Sequence, residues 1–257
     1  MKIASWNVNS LNVRMPHLQQ WLAASAPDIV GLQETKLEDV KFPGPLLAEL
    51  GYDSVFHGQK TYNGVALLAR GHAIEDVQLG IPDFQDDQKR VAAATVAGVR
   101  VVNLYVVNGQ DVGTEKYAYK LRWLAAVREW LAHERQRHPR LVVLGDFNIA
   151  PDERDVHDPA VWNGDHILTS TAERAALQSL LDLGLHDAFR LHHSDGGTFS
   201  WWDYRQAAFR RDLGLRIDLT LVSDALRPLA VAAGIDREPR TWERPSDHAP
   251  AWVEITG

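Results

Sequence analysis

Two mixed β-sheets packed face to face, with helices on the outside, are the fold class this sequence predicts. Three observations lead there. Short runs of branched apolar residues outnumber helical segments, and several are apolar throughout, as strands covered on both faces are. Hairpin links join some of these runs and amphipathic helices join others, so both kinds of strand connection occur. The runs also end repeatedly in polar residues, which such a sandwich would gather at one rim. No Ser/Gly linker, low-complexity run or short repeat interrupts the chain, so one domain is expected over residues 1–257.

Lys2–Trp6 reads as a strand that runs into Asn7-Val8-Asn9-Ser10. A helix is predicted over Met15–Ser25, with Leu18, Trp21 and Leu22 at helical spacing and Pro27 blocking its continuation. Ile29-Val30-Gly31-Leu32 is the next buried strand and delivers Gln33-Glu34-Thr35 at its end. Gly51–Arg70 has the pattern of a hairpin, with Tyr52–Phe56 alternating and Gly64–Ala69 returning. Ala92–Val96 and Arg100–Tyr105 flank a tight turn at Ala97-Gly98, and the second of them runs on through Val106-Val107 to Asn108. The longest helix is predicted over Lys116–His138, with Tyr117, Leu121, Leu124, Val127 and Leu131 along one face. A further helix covers Ala172–Leu183 after Ser170-Thr171; Gly196–Trp202 and Leu215–Val222 read as strands, and Ala249–Ile255 closes the sheet.

Leu141-Val142-Val143-Leu144-Gly145-Asp146-Phe147-Asn148 organises the rest. Four branched apolar residues make a buried strand, and in extended geometry Asp146 and Asn148 emerge on the same side while Phe147 turns to the core. A carboxylate beside a carboxamide can hold a metal ion, take a proton from water and hydrogen-bond a phosphoryl oxygen. Asp and Asn also suit turns and helix starts, so this stretch alone fits either role. Asn7 and Glu34 end two other buried strands, however, and three independent loop starts of this kind are a poor explanation. Near the C-terminus, Asp218 sits inside the apolar run Leu215–Leu219, and His248 follows Asp247 between Pro245 and Pro250. A buried Asp needs a partner, and a His is the usual orienter or base beside it. A satisfied core histidine is the plain alternative.

Composition narrows the classes. At 45% hydrophobic and 24% charged residues the chain is an ordinary globular protein long enough to bury a sizeable core. The absence of Cys excludes disulfides, zinc-thiolate sites and a cysteine nucleophile, and fits a reducing compartment. The first residues enter a strand pattern without an apolar signal segment, and no apolar run approaches membrane-spanning length. The expectation is a cytoplasmic protein with no membrane partner. Lys+Arg 27 against Asp+Glu 34 gives −7, which argues weakly against a polyanionic partner without describing any one face.

Trp6-Asn7-Val8-Asn9, Gln33-Glu34-Thr35-Lys36, Tyr105-Val106-Val107-Asn108, Gly145-Asp146-Phe147-Asn148, Arg216-Ile217-Asp218 and Ser246-Asp247-His248 occur in the order seen in the endonuclease/exonuclease/phosphatase superfamily. Gly58–Ala66 and Thr198–Arg205 resemble its exonuclease III branch, and the resemblance spans essentially the whole chain. It implies a four-layered α/β sandwich and a Mg2+-dependent phosphodiesterase, with Mn2+ as a substitute, acting as a monomer on double-stranded DNA at abasic sites and blocked 3′ ends. By the same resemblance Glu34 is the principal metal ligand with Asn7 beside it. Asp146, Asn148, Asp247 and His248 complete the implied metal set. Asp146 prepares water or protonates the leaving oxygen, Asn148 holds the phosphate, Tyr105 lies against the scissile group and Asp218 orients His248. Whether Asp146 or His248 is the base stays open here. Magnesium's preference for oxygen ligands agrees with this donor set.

Two departures from the pattern stand out. Val107 replaces a proline common in the Tyr-x-Pro-Asn motif, and Asp111 lies where mammalian abasic-site enzymes carry an arginine that enters duplex DNA. Substrate contacts are expected from Asn9, Asn108, Trp201, Trp202, Arg205, Leu215 and Ile217. The segment Phe199–Arg216 interleaves aromatics with Arg205, Arg210, Arg211 and Arg216, suited to base-less sugars and phosphates or, equally, to an amphipathic surface loop. Lys60, Arg90 and Lys116 are candidate backbone contacts or plain surface charges. The expected activities are abasic-site endonuclease, 3′-phosphodiesterase/phosphatase and 3′→5′ exonuclease. Same-fold alternatives act on RNA, phospholipid or inositol phosphate, and a non-catalytic DNA-binding protein is a further one. The aromatic–arginine loop argues against the former and the intact acid set against the latter.

Overall fold

The computed structural model describes residues 1–257. Its strands are β1 (Lys2–Asn7), β2 (Ile29–Gln33), β3 (Tyr52–His57), β4 (Val65–Arg70), β5 (Ile74–Leu79), β6 (Val91–Val96), β7 (Val99–Tyr105), β8 (Leu141–Asp146), β9 (Leu185–Asp187), β10 (Trp201–Trp202), β11 (Gly214–Leu215), β12 (Asp218–Ser223), β13 (Ala230–Ile235) and β14 (Ala251–Ile255). The helices are α1 (Leu11–Ser25), α2 (Gly44–Glu49), α3 (Glu115–Arg137), α4 (Thr171–Leu181) and α5 (Ala188–His192). One six-stranded sheet runs β13-β14-β1-β2-β4-β3, the other β5-β6-β7-β8-β12-β9, and β10-β11 forms a separate small ribbon. Each large sheet is antiparallel except at one pair. β1 and β2 are parallel across α1, and β7 and β8 are parallel across α3, because a parallel return needs a crossover.

Three apolar layers hold this four-layered sandwich together. Val102, Leu104, Leu141, Val143, Leu219 and Leu221 pack under α3 and α4. Ala4, Trp6, Val30, Leu32, Ala66 and Leu68 pack under α1. Ile3, Ile29, Leu67, Val101, Val142, Leu144, Val222 and Val253 fill the space between the sheets. Strands such as β8 therefore bury alternate residues on opposite sides, which is why their sequences are apolar throughout.

The period of two has a second consequence. On the face turned to the other sheet, Ile3 and Ser5 lead to Asn7, Val101 and Asn103 to Tyr105, Val142 and Leu144 to Asp146, and Val222 and Thr220 back to Asp218. Pairing brings these ends to one rim: Tyr105 and Asp218 are both register partners of Asp146, and Asn7 of Gln33. Just behind the rim, Asn103 crosses between the sheets. Its amide donates to Leu32 O at 2.9 Å and Ala66 O at 2.8 Å, and its carbonyl accepts from Gln33 Nε2 at 2.7 Å. Gly31 makes that approach possible, since a Cβ there would lie 2.9 Å from Asn103 Cγ and 2.3 Å from Leu144 Cδ1.

Several elements differ from the sequence reading. α1 begins at Leu11 and carries Pro16 within it, where a single main-chain donor is lost. α4 ends at Leu181. The strand expected over Gly196–Trp202 shrinks to Trp201–Trp202, and that over Leu215–Val222 is broken at Arg216-Ile217. β5, β9 and β13 were not legible; all lie at sheet edges, where β5 is largely exposed, β9 is only three residues long and β13 is built mainly of Ala and Gly. No helix is long and apolar enough to cross a membrane.

Replacing Asn103 with Ala would remove its bonds to Leu32 O and Ala66 O and one of the three that Gln33 Nε2 makes. Each lost bond costs about 0.5–1.5 kcal/mol, so Asn103→Ala should lower unfolding free energy in urea by about 2–4 kcal/mol. A loss below about 1 kcal/mol would show that the crossing bonds contribute nothing net.

Candidate active site

Six segments deliver the site to the rim. Asn7 ends β1, Glu34 follows β2, Tyr105 ends β7, Asp146 ends β8, Asp218 opens β12 and His248 precedes β14. Asn7 Nδ2 donates to Glu34 Oε1 at 3.0 Å and to Asp146 Oδ2 at 2.9 Å, bridging the two sheets. Its Oδ1 is taken by the Asn9 amide at 2.9 Å, which fixes the orientation of the carboxamide. His248 Nδ1 lies 2.9 Å from Asp218 Oδ2, and its Nε2 faces Asp146 Oδ2 at 3.7 Å. Ser200 Oγ completes Asp218 at 2.7 Å while accepting the Ile217 and Asp218 amides. Carboxylate oxygens of Glu34 and Asp146 and a ring nitrogen of His248 lie within 4.8 Å of one another, close enough to share one ion.

The chain leaves extended geometry directly after Asp146. Asn148 adopts φ 49°, its amide donates to Asp146 Oδ1 at 2.9 Å, and its side chain donates to Val106 O at 3.0 Å. Asn108 Nδ2 reaches Asn148 Oδ1 at 3.2 Å. Asn9, Ser10, Glu34 and Lys36 also have positive φ, a concentration of left-handed backbone around one site.

The charges are arranged to differ. Burial pushes the Glu34 carboxyl up, but the Lys36 ammonium at 2.9 Å and the Asn7 bond outweigh this and hold it below its usual range. Glu34 is thus an anion. Burial raises Asp146 to about 7, with His248 opposing and Asp218 adding to the rise. Burial would deprotonate His248, but Asp218 and Asp146 override it and raise the ring to about 10. A ring that keeps its proton has no lone pair for a metal, so His248 suits a hydrogen-bond donor. Burial, then Glu34, holds the Tyr105 phenol far above its usual range, and it stays neutral.

These groups floor a cleft of about 350 Å³ walled by Trp162, Ile167, Leu168, Trp201 and Ile217, with Arg205 at its mouth. Asp247 lines it too, its two oxygens taken by Asn9 Nδ2 at 2.9 Å and Trp201 Nε1 at 3.0 Å. Two expected substrate residues are elsewhere. Trp202 is fully buried with Phe199, Ala208 and Ala249, its indole N–H on Asp212, because neighbouring strand residues face opposite ways. Leu215 is buried behind Trp201 and Ile217 as packing. Arg216 is also internal, paired with Asp155 at 2.6 Å and Asp187 at 2.7 Å, so it is not among the exposed arginines. Ser200, Trp162, Ile167 and Leu168 escaped the sequence reading. The last three lie on an irregular loop with no periodicity to mark them.

The sequence matches the endonuclease/exonuclease/phosphatase family over residues 4–248. It is 36% identical to exodeoxyribonuclease III of Haemophilus influenzae, covering 99% of this chain and all of that one (100%). Among solved structures, the 3′ phosphatase NExo from Neisseria, bound to a product DNA hairpin, is 50% identical and superimposes with a TM-score of 0.98 over 100% of both chains. An AP endonuclease from Archaeoglobus fulgidus is 37% identical with a TM-score of 0.96, again over 100% of both chains.

The raised groups set a pH dependence. His248 holds its proton more tightly folded than unfolded, so its contribution is complete below about pH 6.5 and is lost as pH rises toward about 10. Asp146 acts with the same sign lower down, between 3.8 and about 7. In chelator, the unfolding free energy from urea titrations should therefore fall from pH 7 to 10, with a slope of up to about 1.4 kcal/mol per pH unit. His248→Gln should flatten that stretch; an equal slope in the variant would remove His248 from the account.

Proposed function

The chain belongs to the endonuclease/exonuclease/phosphatase family, and from that premise we propose a metal-dependent DNA-repair phosphodiesterase. Its proposed activities are abasic-site endonuclease, 3′-phosphodiesterase/phosphatase and 3′→5′ exonuclease on double-stranded DNA, carried out by one domain acting as a monomer. The observation that carries this reading is the convergence of Glu34, Asn7, Asp146, Asn148 and the Asp218–His248 pair on the floor of one aromatic-walled cleft. Beside it, a wider groove of about 640 Å³ shares Asn108 and is lined by Tyr62, Arg90 and Lys116, as a DNA backbone would require.

The donor set fits a hard cation. Glu34 is ionised, Asp146 lies beside it, and no sulfur competes. Glu34 and Asp146 would hold Mg2+ or Mn2+, with Asn7 orienting both carboxylates. When bound, the ion polarises the phosphodiester and steadies the leaving oxygen. Asp146, poised near neutrality, takes the proton of the attacking water and later returns it to the leaving oxygen. The protonated His248, fixed by Asp218, donates to a phosphoryl oxygen, as do the side-chain carboxamide of Asn148 and the neutral Tyr105 hydroxyl. Trp201, held by Asp247, and Ile217 form the wall that accepts a sugar without a base.

EDTA should abolish cleavage of a duplex carrying an abasic analogue, and Mg2+ or Mn2+ should restore it. Asp146→Asn removes the proton acceptor while keeping its size, so turnover should fall by at least ~10²-fold while DNA affinity holds or rises. Normal turnover with weak binding would contradict the assignment.

Trp201→Ala should reduce abasic-site cleavage more than removal of a terminal 3′-phosphate, both measured at one salt concentration because phosphate contacts are salt-dependent. Equal losses accompanied by a lower melting temperature would return Trp201 to a packing role.

A further inference from the structure

Asn108 and Asn148, the two carboxamides beside the proposed phosphate position, both stand on loops. Lys120, in the second turn of α3, joins those loops from below. Its side chain is fully buried at 0% exposure, and its ammonium donates to Asn148 O at 2.7 Å, to Asn108 O at 3.1 Å and to the Glu173 carboxylate. An ammonium has three donors and no acceptor, so these three partners saturate it. Glu173 in turn accepts the Leu168 amide at 3.1 Å, the Ser170 amide at 3.0 Å and the Ser170 hydroxyl at 2.6 Å. Leu168 lines the cleft. Gly109 leaves space for the lysine stem, since a Cβ there would lie 3.1 Å from Lys120 Cδ.

Packing alone does not call for a lysine here. Tyr117, Leu124 and Val127 share its helix face, and an apolar residue would avoid the desolvation of an ammonium. What a lysine adds is direction: one rigid point that fixes the main chain at both carboxamides. We propose that Lys120 is a positioning residue for phosphodiester cleavage, holding Asn108 and Asn148 through their carbonyls so that their side chains meet the scissile phosphate. Lys120 itself does not touch DNA. The proposal rests on the phosphodiesterase reading above.

A mutant cycle separates positioning from plain stabilisation. Single-turnover rates and KM on a duplex with a 3′-phosphate are compared for the unmodified chain, Lys120→Met, Asn108→Ala/Asn148→Ala and their combination, each verified as folded by circular dichroism. Lys120→Met should lower the rate by about 10- to 100-fold with little change in KM. In the chain already lacking both carboxamides, the same change should cost about twofold at most. If Lys120→Met fails to fold, Lys120→Met/Glu173→Gln removes both buried charges and carries the same comparison. A normal rate in the folded variant, or equal losses in both backgrounds, overturns the proposal alone. An unmodified chain inactive on every duplex overturns the phosphodiesterase reading and this proposal with it.

Discussion

The two sheets meet on inner faces that change from apolar to polar toward one end, and this gradient along the seam underlies the rest of the structure. At the apolar end, Ile3, Ile29, Val101, Val142 and Val222 exclude water and hold the sheets in register. At the polar end, the same strand faces present Asn7, Tyr105, Asp146 and Asp218. The hydrogen bonds from Asn7 to Asp146 and from His248 to Asp218 each join one sheet to the other. The site is therefore a property of the packed pair and belongs to neither sheet alone.

Such an arrangement carries a cost. Three carboxylates and an imidazole share a nearly dry space, where like charges repel and burial disfavours ionisation. That cost shows in the displaced proton affinities of Asp146 and His248, and in the left-handed backbone at Asn9, Glu34 and Asn148. Strain of this kind persists only where the surroundings over-determine it. Here they do, through the Asn103–Gln33 crossing behind the rim and the Lys120–Glu173 pair beneath the two carboxamide loops.

Net charge is a poor guide to partner for the same reason. Many of the acids are engaged internally: Asp155 and Asp187 with Arg216, Glu173 with Lys120, Glu134 with Arg100. Others form the site itself. The excess of −7 consequently says little about the faces that flank the cleft, where Arg90, Lys116 and Arg205 stand. Global charge acts at long range and is screened by salt, whereas recognition depends on the groups within a few ångströms of the phosphate.

The sequence by itself determined the mixed two-sheet class and the order of the central strands and long helices, but not β5, β9 and β13. It also determined the identity of the polar residues at the strand ends, because buried strands and their termini are written in local composition and in a period of two. Ser170-Thr171 was legible as the start of a helix, whereas the reciprocal bonds of Ser170 and Glu173 and the burial of Lys120 on the apolar face of α3 emerged only in the fold. Only the tertiary structure decided which neighbour faces the cleft. Trp201 is wall and Trp202 is core, though they are adjacent; Arg205 is at the mouth and Arg216 inside, though both belong to one arginine-rich segment. The choice between the tryptophans follows from strand register, and a shift of one residue would exchange them. Register is fixed by pairing with strands distant in the chain, as Trp201 with Leu215 and Asp146 with Asp218, so no local stretch contains it.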